Sequence, residues 1–145
     1  MNNEIHSRTA LLMGANAVDR LRQCRVAVFG VGGVGGFCAE ALARCGIGAL
    51  DLIDADEVSV SNMNRQLIAT LDTVGQRKVL AMRDRLAVAA PECRITCYDM
   101  FYLPENADDI DLSVYDYVVD CIDTVSAKLE LAVRCTALGD MWFVW

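Results

Sequence analysis

Short runs of apolar, often β-branched residues alternate along the chain with longer segments whose apolar positions recur at helical spacing. The short runs predict buried strands at 25–29, 50–54, 94–98 and 117–121. The longer segments predict helices at 9–22, from the glycine-rich loop to about residue 44, at 72–90 and at 125–138. This alternation predicts a Rossmann-like α/β fold with a mainly parallel sheet and helices on both faces. No repeat or linker interrupts it, so we expect residues 1–145 to form a single domain.

Composition places the chain among globular proteins. Hydrophobic residues make up 54% of its 145 residues and charged residues 23%, which excludes a disordered segment. No apolar run approaches the roughly 18 residues of a membrane span, and the N-terminus lacks the features of a cleavable signal peptide. We therefore expect a cytoplasmic protein without a membrane partner.

The seven cysteines and the single histidine predict neither a metal site nor a catalytic one. The cysteine count is odd and most cysteines lie in apolar segments, so reduced thiols that pack in the core are expected. Cys93 and Cys97 lack the CxxC spacing of a zinc site. His6 is expected near a mobile terminus, which disfavours a catalytic role.

The net charge of −7 comes entirely from the last third of the chain. Residues 101–145 contain nine acidic and two basic residues, a difference of seven. A surface with this charge disfavours binding to nucleic acid. A solvated acidic face with no binding role also explains this excess of acidic residues.

A glycine pattern predicts a nucleotide site. Gly30, Gly32 and Gly35 form GxGxxG between a predicted strand and a predicted helix, where glycine permits close backbone approach and a helix N-terminus favours phosphate. Asp54 follows Gly30 by 24 residues, near the spacing of a ribose-binding acid. An exposed loop carboxylate is its structural alternative. These features do not separate NAD from ATP.

Polar residues beyond the second strand favour ATP. Asn62 and Arg65 follow that strand, and Lys78 comes thirteen residues after Arg65. Two cations suit a triphosphate that loses pyrophosphate, whereas hydride transfer has no such need; each could also be an ordinary surface charge. Asp123, after the fourth strand, suits Mg²⁺, which prefers one or two carboxylates with phosphate oxygens and water. Its alternative role is to cap the next helix.

Five ordered motifs resemble the ThiF/MoeB/ubiquitin-activating superfamily over nearly the whole chain. In order they read GVGGVG (30–35), LIDADEV (52–58), SNMNRQ (61–66), DTVGQRK (72–78) and DCIDTV (120–125). The resemblance implies a site for ATP and Mg²⁺ that activates a carboxylate as an acyl-adenylate.

The resemblance also implies a role for each matching residue. Gly32 and Gly33 would lie against the phosphates, and Asp54 would bind the ribose. Asp123 would coordinate Mg²⁺. The remaining phosphate contacts would come from Asn62, Arg65 and Lys78. Members of the family dimerise and insert an N-terminal arginine into the partner's site, a position that Arg8 matches; an exposed cation is its alternative.

Within the family, Arg8-Thr9, 40–48 and 122–128 are most similar to the tRNA threonylcarbamoyladenosine dehydratases. That branch implies ATP-dependent cyclisation of the modified adenosine-37 of tRNA, in a homodimer that works with a sulfur-transfer protein. Adenylation of a ubiquitin-like sulfur carrier is the neighbouring alternative. A NAD-dependent oxidoreductase domain is an alternative from another class.

Residues 139–145 do not resemble the next strand and glycine-rich loop of that branch. We therefore expect a truncated chain, the N-terminal part of a longer family domain. The missing part would add sheet, substrate contacts and a basic tRNA surface. An inactive nucleotide-binding fragment is the corresponding alternative.

Overall fold

The computed structural model describes the backbone of residues 2–139 and 141–144 and the side chains of residues 4–139. Its centre is a five-stranded sheet in the order β3-β2-β1-β4-β5, and every neighbouring pair is parallel. The strands are β1 (Arg25–Phe29), β2 (Ala49–Ile53), β3 (Arg94–Tyr98), β4 (Tyr117–Asp120) and β5 (Met141–Val144). The strand order reverses between β1 and β4, which is where ligands bind in sheets of this type.

Helices cover both faces of the sheet, which confirms the predicted α/β fold. They are α1 (Asn2–Ile5), α2 (Ser7–Met13), α3 (Ala15–Leu21), α4 (Gly35–Cys45), α5 (Lys78–Ala89) and α6 (Val125–Leu138). One apolar cluster joins β1 and β2 to α4 and α5 through residues such as Val28, Leu52, Ala39 and Met82. The other joins β1 and β4 to α6, with Leu131 at its centre. Among the described helices, none combines the length and apolar character needed to cross a bilayer.

The N-terminal helix is divided where a single helix over 9–22 was predicted. Gly14 has φ 85° between α2 and α3, a conformation that a right-handed helix does not contain. Leu11 and Leu12 are exposed, and only Val18 of these two helices is buried. The apolar spacing therefore does not describe one core-facing helix.

The helix predicted from residue 72 begins instead at Lys78. The chain before it pairs with the segment after β2: Val58 N donates to Gln76 O at 2.8 Å, and Gly75 N donates to Val58 O at 2.8 Å. Gly75 has φ 86°, which residues other than glycine rarely adopt. These contacts prevent residues 72–77 from joining the helix.

The N-terminus and the last described strand both differ from expectation. His6 is 5% exposed, and its ring lies against Gly46 at the end of α4. Residues 141–144 pair in parallel with β4, so the expectation that this segment is unlike the next strand was wrong. Asp140 and Trp145 lie outside the described residues.

The cysteines follow the prediction in part. Cys24, Cys38, Cys93, Cys97 and Cys121 are half-buried free thiols, Cys45 is an exposed one, and Cys135 is fully buried. Within residues 4–139, no group of three or more histidine, cysteine or acidic side chains could hold a metal ion.

Candidate nucleotide-binding site

A pocket of about 490 Å³ opens at the carboxyl ends of β1, β2 and β4, beside the reversal of strand order. It brings together residues that lie up to 95 positions apart in the sequence. The predicted residues that line it are Gly30, Gly32, Gly33, Asp54, Asn62, Arg65, Lys78 and Asp123. The fold therefore collects most of the predicted site at one place.

The glycines of the loop divide into two pairs. A Cβ on Gly30, which has φ 90°, would lie 2.6 Å from Cys121 O, and a Cβ on Gly35 would overlap Gly30 O. These two glycines allow close backbone packing, and Gly35 does not line the pocket.

Gly32 and Gly33 have no such neighbour. A Cβ on Gly32 would come no nearer than 3.7 Å to any other group, and a Cβ on Gly33 no nearer than 3.6 Å. The protein alone would accommodate alanine at both positions. Their bare backbone faces the pocket next to the N-terminus of α4, which is the arrangement that binds phosphate.

Asp54 is fixed at the end of β2. Its Oδ2 accepts a hydrogen bond from Val31 N at 2.7 Å, and its Oδ1 accepts one from Asp56 N at 2.8 Å. Burial raises the pKa of the Asp54 carboxyl above its ordinary value, although both hydrogen bonds favour the charged form. Each carboxylate oxygen can accept a second hydrogen bond, so Asp54 can connect the glycine loop to a ligand hydroxyl.

Lys78 is a buried cation, unlike the surface charge that was its alternative interpretation. It is 6% exposed, and its Nζ lies 2.8 Å from Asp56 Oδ2. Its backbone N also donates to Asp56 O at 2.9 Å. Asp56 therefore neutralises Lys78 and holds the ammonium group at the edge of the pocket.

Arg65 and Asn62 lie on the loop after β2. The Arg65 side chain is exposed, and its Nη1 donates to Ser61 O at 3.2 Å and Asn64 Oδ1 at 2.9 Å. Asn62 Oδ1 accepts from Ser59 N at 3.0 Å, which closes the short 3₁₀ turn Val60–Asn62. Because that contact uses only the oxygen, the Asn62 amide group can still donate to a ligand.

Asp123 projects from the loop that joins β4 to α6. Its carboxylate is exposed, and within residues 4–139 it makes no hydrogen bond or ion pair. The N-cap of α6 is Thr124, so Asp123 does not have the capping role that was its alternative. A single uncommitted carboxylate at a phosphate pocket fits Mg²⁺, which takes one or two carboxylates and completes its shell with phosphate oxygens and water.

Cys121 lines the pocket but is unsuited to act as a nucleophile. Burial, the largest effect, raises the pKa of its thiol to about 12, and the nearby Cys38 and Asp120 act in the same direction. The thiolate is the reactive form of cysteine. At neutral pH this side chain is therefore a packing group.

Two charged or amide side chains of the pocket, those of Asp56 and Gln66, were not singled out from the sequence. Asp56 is the partner of Lys78, and Gln66 is 8% exposed with no hydrogen-bond partner for Oε1 among the described groups. A signal for Gln66 was present, because it directly follows Arg65 in SNMNRQ. Arg8 is exposed on α2 and does not line this pocket, which leaves its predicted role in a partner's site as a prediction.

The chain is similar to known proteins over most of its length. The model of the ThiF family matches residues 6–144. The tRNA threonylcarbamoyladenosine dehydratase of Bacillus subtilis (strain 168) is 46% identical over 129 residues, which are 89% of this chain and 51% of that protein. The adenylyltransferase and sulfurtransferase MOCS3 of Drosophila virilis is 37% identical over 92% of this chain and 30% of that protein.

A solved structure matches the whole fold. The E. coli tRNA N6-threonylcarbamoyladenosine dehydratase in complex with ATP has a TM-score of 0.91 and 39% sequence identity, over 98% of this chain and 58% of that one. The chain thus spans about half the length of the curated dehydratase it matches. With a family model that matches nearly every residue and a relative at 46% identity, the chain belongs to the ThiF family.

Proposed function

We propose that the pocket binds ATP with Mg²⁺ and activates a carboxylate as an acyl-adenylate, the carboxylate of threonylcarbamoyladenosine-37 in tRNA. The observation that carries the proposal is the coincidence of an open glycine backbone, two cations and an uncommitted carboxylate in one pocket. The similarity to dehydratases of that name, one of them bound to ATP, supports the substrate and the cofactor.

In this mechanism the triphosphate lies along Gly32 and Gly33, with Asp54 accepting a hydrogen bond from the ribose. Lys78 turns from Asp56 towards the phosphates. With Arg65 it balances the charge that develops as pyrophosphate leaves. Mg²⁺ held by Asp123 would add to that neutralisation. The chain needs no nucleophile of its own, because the substrate carboxylate attacks the α-phosphorus and positioning with electrostatics can carry the step.

Ring closure would follow on the activated threonyl group. An internal nitrogen or oxygen of the modified base attacks the acyl carbon, and AMP leaves. The net change is loss of one water from the substrate as ATP becomes AMP and pyrophosphate. This chain would supply the nucleotide-binding part of that reaction.

The proposal includes a homodimer in which Arg8 reaches the partner's pocket. Arg8 lies on α2 beside Leu11 and Leu12, which are 81% and 87% exposed. Two large apolar side chains on one short helix are a surface that association would cover. The tRNA, a sulfur-transfer protein and a cytoplasmic location belong to the same proposal.

Two of the three alternatives name a different reaction, and they differ in support. Adenylation of a ubiquitin-like sulfur carrier would use the same pocket, and MOCS3 supports it at lower identity than the dehydratase. A NAD-dependent oxidoreductase would use the glycine loop and Asp54 but gives no role to Arg65, Lys78 and Asp123. The pocket therefore favours adenylation over hydride transfer.

Substrate-dependent release of pyrophosphate tests the proposal. The chain is mixed with ATP, Mg²⁺ and tRNA that carries threonylcarbamoyladenosine, with the same tRNA lacking the modification, or with a sulfur-carrier protein. Release only with the modified tRNA is the expected result. Release only with the carrier would establish the alternative, and release with neither, from a chain that binds ATP, would identify an inactive fragment.

A further inference from the structure

The loop that carries Asp123 is held by an ion pair between a buried carboxylate and a partly exposed lysine. Asp120, the last residue of β4, is fully buried. Its Oδ2 lies 2.9 Å from Lys128 Nζ, at an angle that makes the contact an ion pair rather than a hydrogen bond. Neither residue lines the pocket, and the mechanism above uses neither.

Both backbone groups of Ile122 are bound by this pair. Ile122 N donates to Asp120 Oδ1 at 3.0 Å, and Lys128 Nζ donates to Ile122 O at 3.0 Å. Ile122 immediately precedes Asp123. The two charged side chains therefore fix both peptide units of Ile122, and the second of these units leads directly into Asp123.

The opposite side of the loop is fixed by the last residue of β1 and by the glycine loop. Cys121 N donates to Phe29 O at 2.8 Å, and Gly30 packs so closely on Cys121 O that a Cβ would lie 2.6 Å from it. A shift of this loop away from the glycine loop therefore breaks the hydrogen bonds that Asp120 and Lys128 make to Ile122.

Stability alone does not account for the pair. The pair buries the Asp120 carboxylate completely while the Lys128 side chain stays 26% exposed, and burial of a carboxylate costs hydration that its attraction to one ammonium group barely restores. Asp123 is exposed, and its side chain makes no hydrogen bond or ion pair within residues 4–139. Its position is thus decided by the backbone that Asp120 and Lys128 hold.

We propose that Asp120 and Lys128 are positioning residues that hold Asp123 where it can bind Mg²⁺. The inference rests on the proposed function of Asp123. Groups that orient metal ligands typically account for 10- to 100-fold in metal affinity. Lys128 acts here through Ile122 and contacts neither nucleotide nor metal.

The test uses variants that leave no buried charge unpaired. In D120N/K128M the asparagine Oδ1 can still accept from Ile122 N, but the bond to Ile122 O is lost. Lys128→Arg keeps the charge and the donor. The control is D108N/R134M, because Arg134 of α6 pairs with the exposed Asp108, with Nη1 and Oδ1 2.6 Å apart, and with Glu130, and none of these residues lines the pocket. Thermal melts establish that each variant is folded.

ATP affinity is measured by calorimetry with and without Mg²⁺, and hydrogen exchange is followed at the amides of 121–124. For D120N/K128M we expect the ATP affinity without Mg²⁺ to stay unchanged. The increase in ATP affinity that Mg²⁺ produces should fall about tenfold, and the amides of 121–124 should exchange faster. Lys128→Arg and the control pair should behave as wild type. The triple variant D120N/D123A/K128M should lose no more of the Mg²⁺-dependent increase in ATP affinity than the single variant Asp123→Ala loses.

Two results overturn the inference in different ways. If Asp123→Ala abolishes the Mg²⁺-dependent gain but D120N/K128M keeps both the gain and slow exchange, the pair does not position Asp123. If Asp123→Ala itself keeps the gain, the proposed magnesium site is wrong and the positioning role falls with it.

Discussion

Two groups of polar and charged residues lie along strand β2 and at its end. Only in one of them do the side chains satisfy one another's hydrogen bonds. Asp51, within β2, is 1% exposed and accepts from Arg25 Nη2 at 2.6 Å and from Tyr115 OH at 2.7 Å. The Arg25 guanidinium also lies over the Tyr115 ring, 5.1 Å from its centroid. We call these three residues the Arg25–Asp51–Tyr115 cluster.

The pocket at the end of β2 has the opposite character. Asp123 is uncommitted, the Arg65 guanidinium is exposed and Gln66 Oε1 has no partner among the described groups. Lys78 has one carboxylate partner, which is itself half exposed. Polar groups that form hydrogen bonds and ion pairs with one another stabilise a fold. Polar groups in a pocket that lack such partners indicate where a ligand can supply them.

The largest effect that separates the two regions is expected for Arg25→Met. It leaves the carboxylate of Asp51 buried without its cation, so the free energy of unfolding should fall by about 3–5 kcal/mol in urea denaturation. ATP affinity of the folded protein should not change. Arg83→Met is the control, because its partner Asp84 is exposed; a similar loss there, or none in Arg25→Met, would contradict the account.

Lys78→Met should show the reverse pattern. Loss of a hydrogen bond from a charged donor to phosphate should weaken ATP binding by about 10- to 100-fold. The free energy of unfolding should change by less than about 1 kcal/mol, because Asp56 remains solvated when its partner is removed. Calorimetry and urea denaturation of one preparation measure both. A large loss of stability with intact ATP binding would assign Lys78 to the fold instead.

Gly33→Ala tests the open face of the glycine loop. The added methyl fits the protein but occupies the space of the phosphates, so ATP binding should weaken by about tenfold, or about 1.4 kcal/mol, without loss of stability. Gly36→Ala is its control, because a Cβ there also meets only an ordinary contact, at 3.8 Å, and Gly36 does not line the pocket. Equal ATP affinity in the two variants would argue against phosphate at this loop.

The smallest predicted effect is alkaline destabilisation. Burial raises the pKa of Tyr102 to about 12, and burial with the bond to Asp51 raises the pKa of Tyr115. A raised pKa contributes stability that is complete below the unfolded value near 10 and is lost as pH rises through the folded value. Each tyrosine should therefore lower the free energy of unfolding by about 1 kcal/mol between pH 10 and 11. Urea denaturation of Tyr115→Phe should show a shallower pH slope, and an unchanged slope would exclude Tyr115 as a source.

The fold was predictable from the sequence wherever a run of apolar residues indicates a buried element directly. Parallel strands covered on both faces are continuous apolar runs, so β1 to β4 were placed within one or two residues. The division at Gly14 and the start of α5 at Lys78 were missed. Both depend on backbone geometry and on pairing with the segment after β2, which helical spacing does not report.

The site was predictable to the extent that it is encoded in contiguous motifs. The glycine loop, Asp54, Arg65 and Asp123 each belong to one, and the fold collects them in one pocket. The pairing of Lys78 with Asp56 and of Lys128 with Asp120 joins residues 22 and 8 positions apart across different elements. Such contacts arise only in the tertiary structure.

Calorimetric titration of ATP with Mg²⁺ into the wild-type chain, Arg65→Ala and Asp123→Ala tests the central claim most directly. Arg83→Ala and Asp109→Ala, both at exposed positions outside the pocket, serve as controls. The account predicts that wild type and both controls bind ATP, that each site variant binds at least about tenfold more weakly, and that NADH does not compete. Wild-type binding of NADH in place of ATP, or ATP binding that both site variants retain, would contradict it.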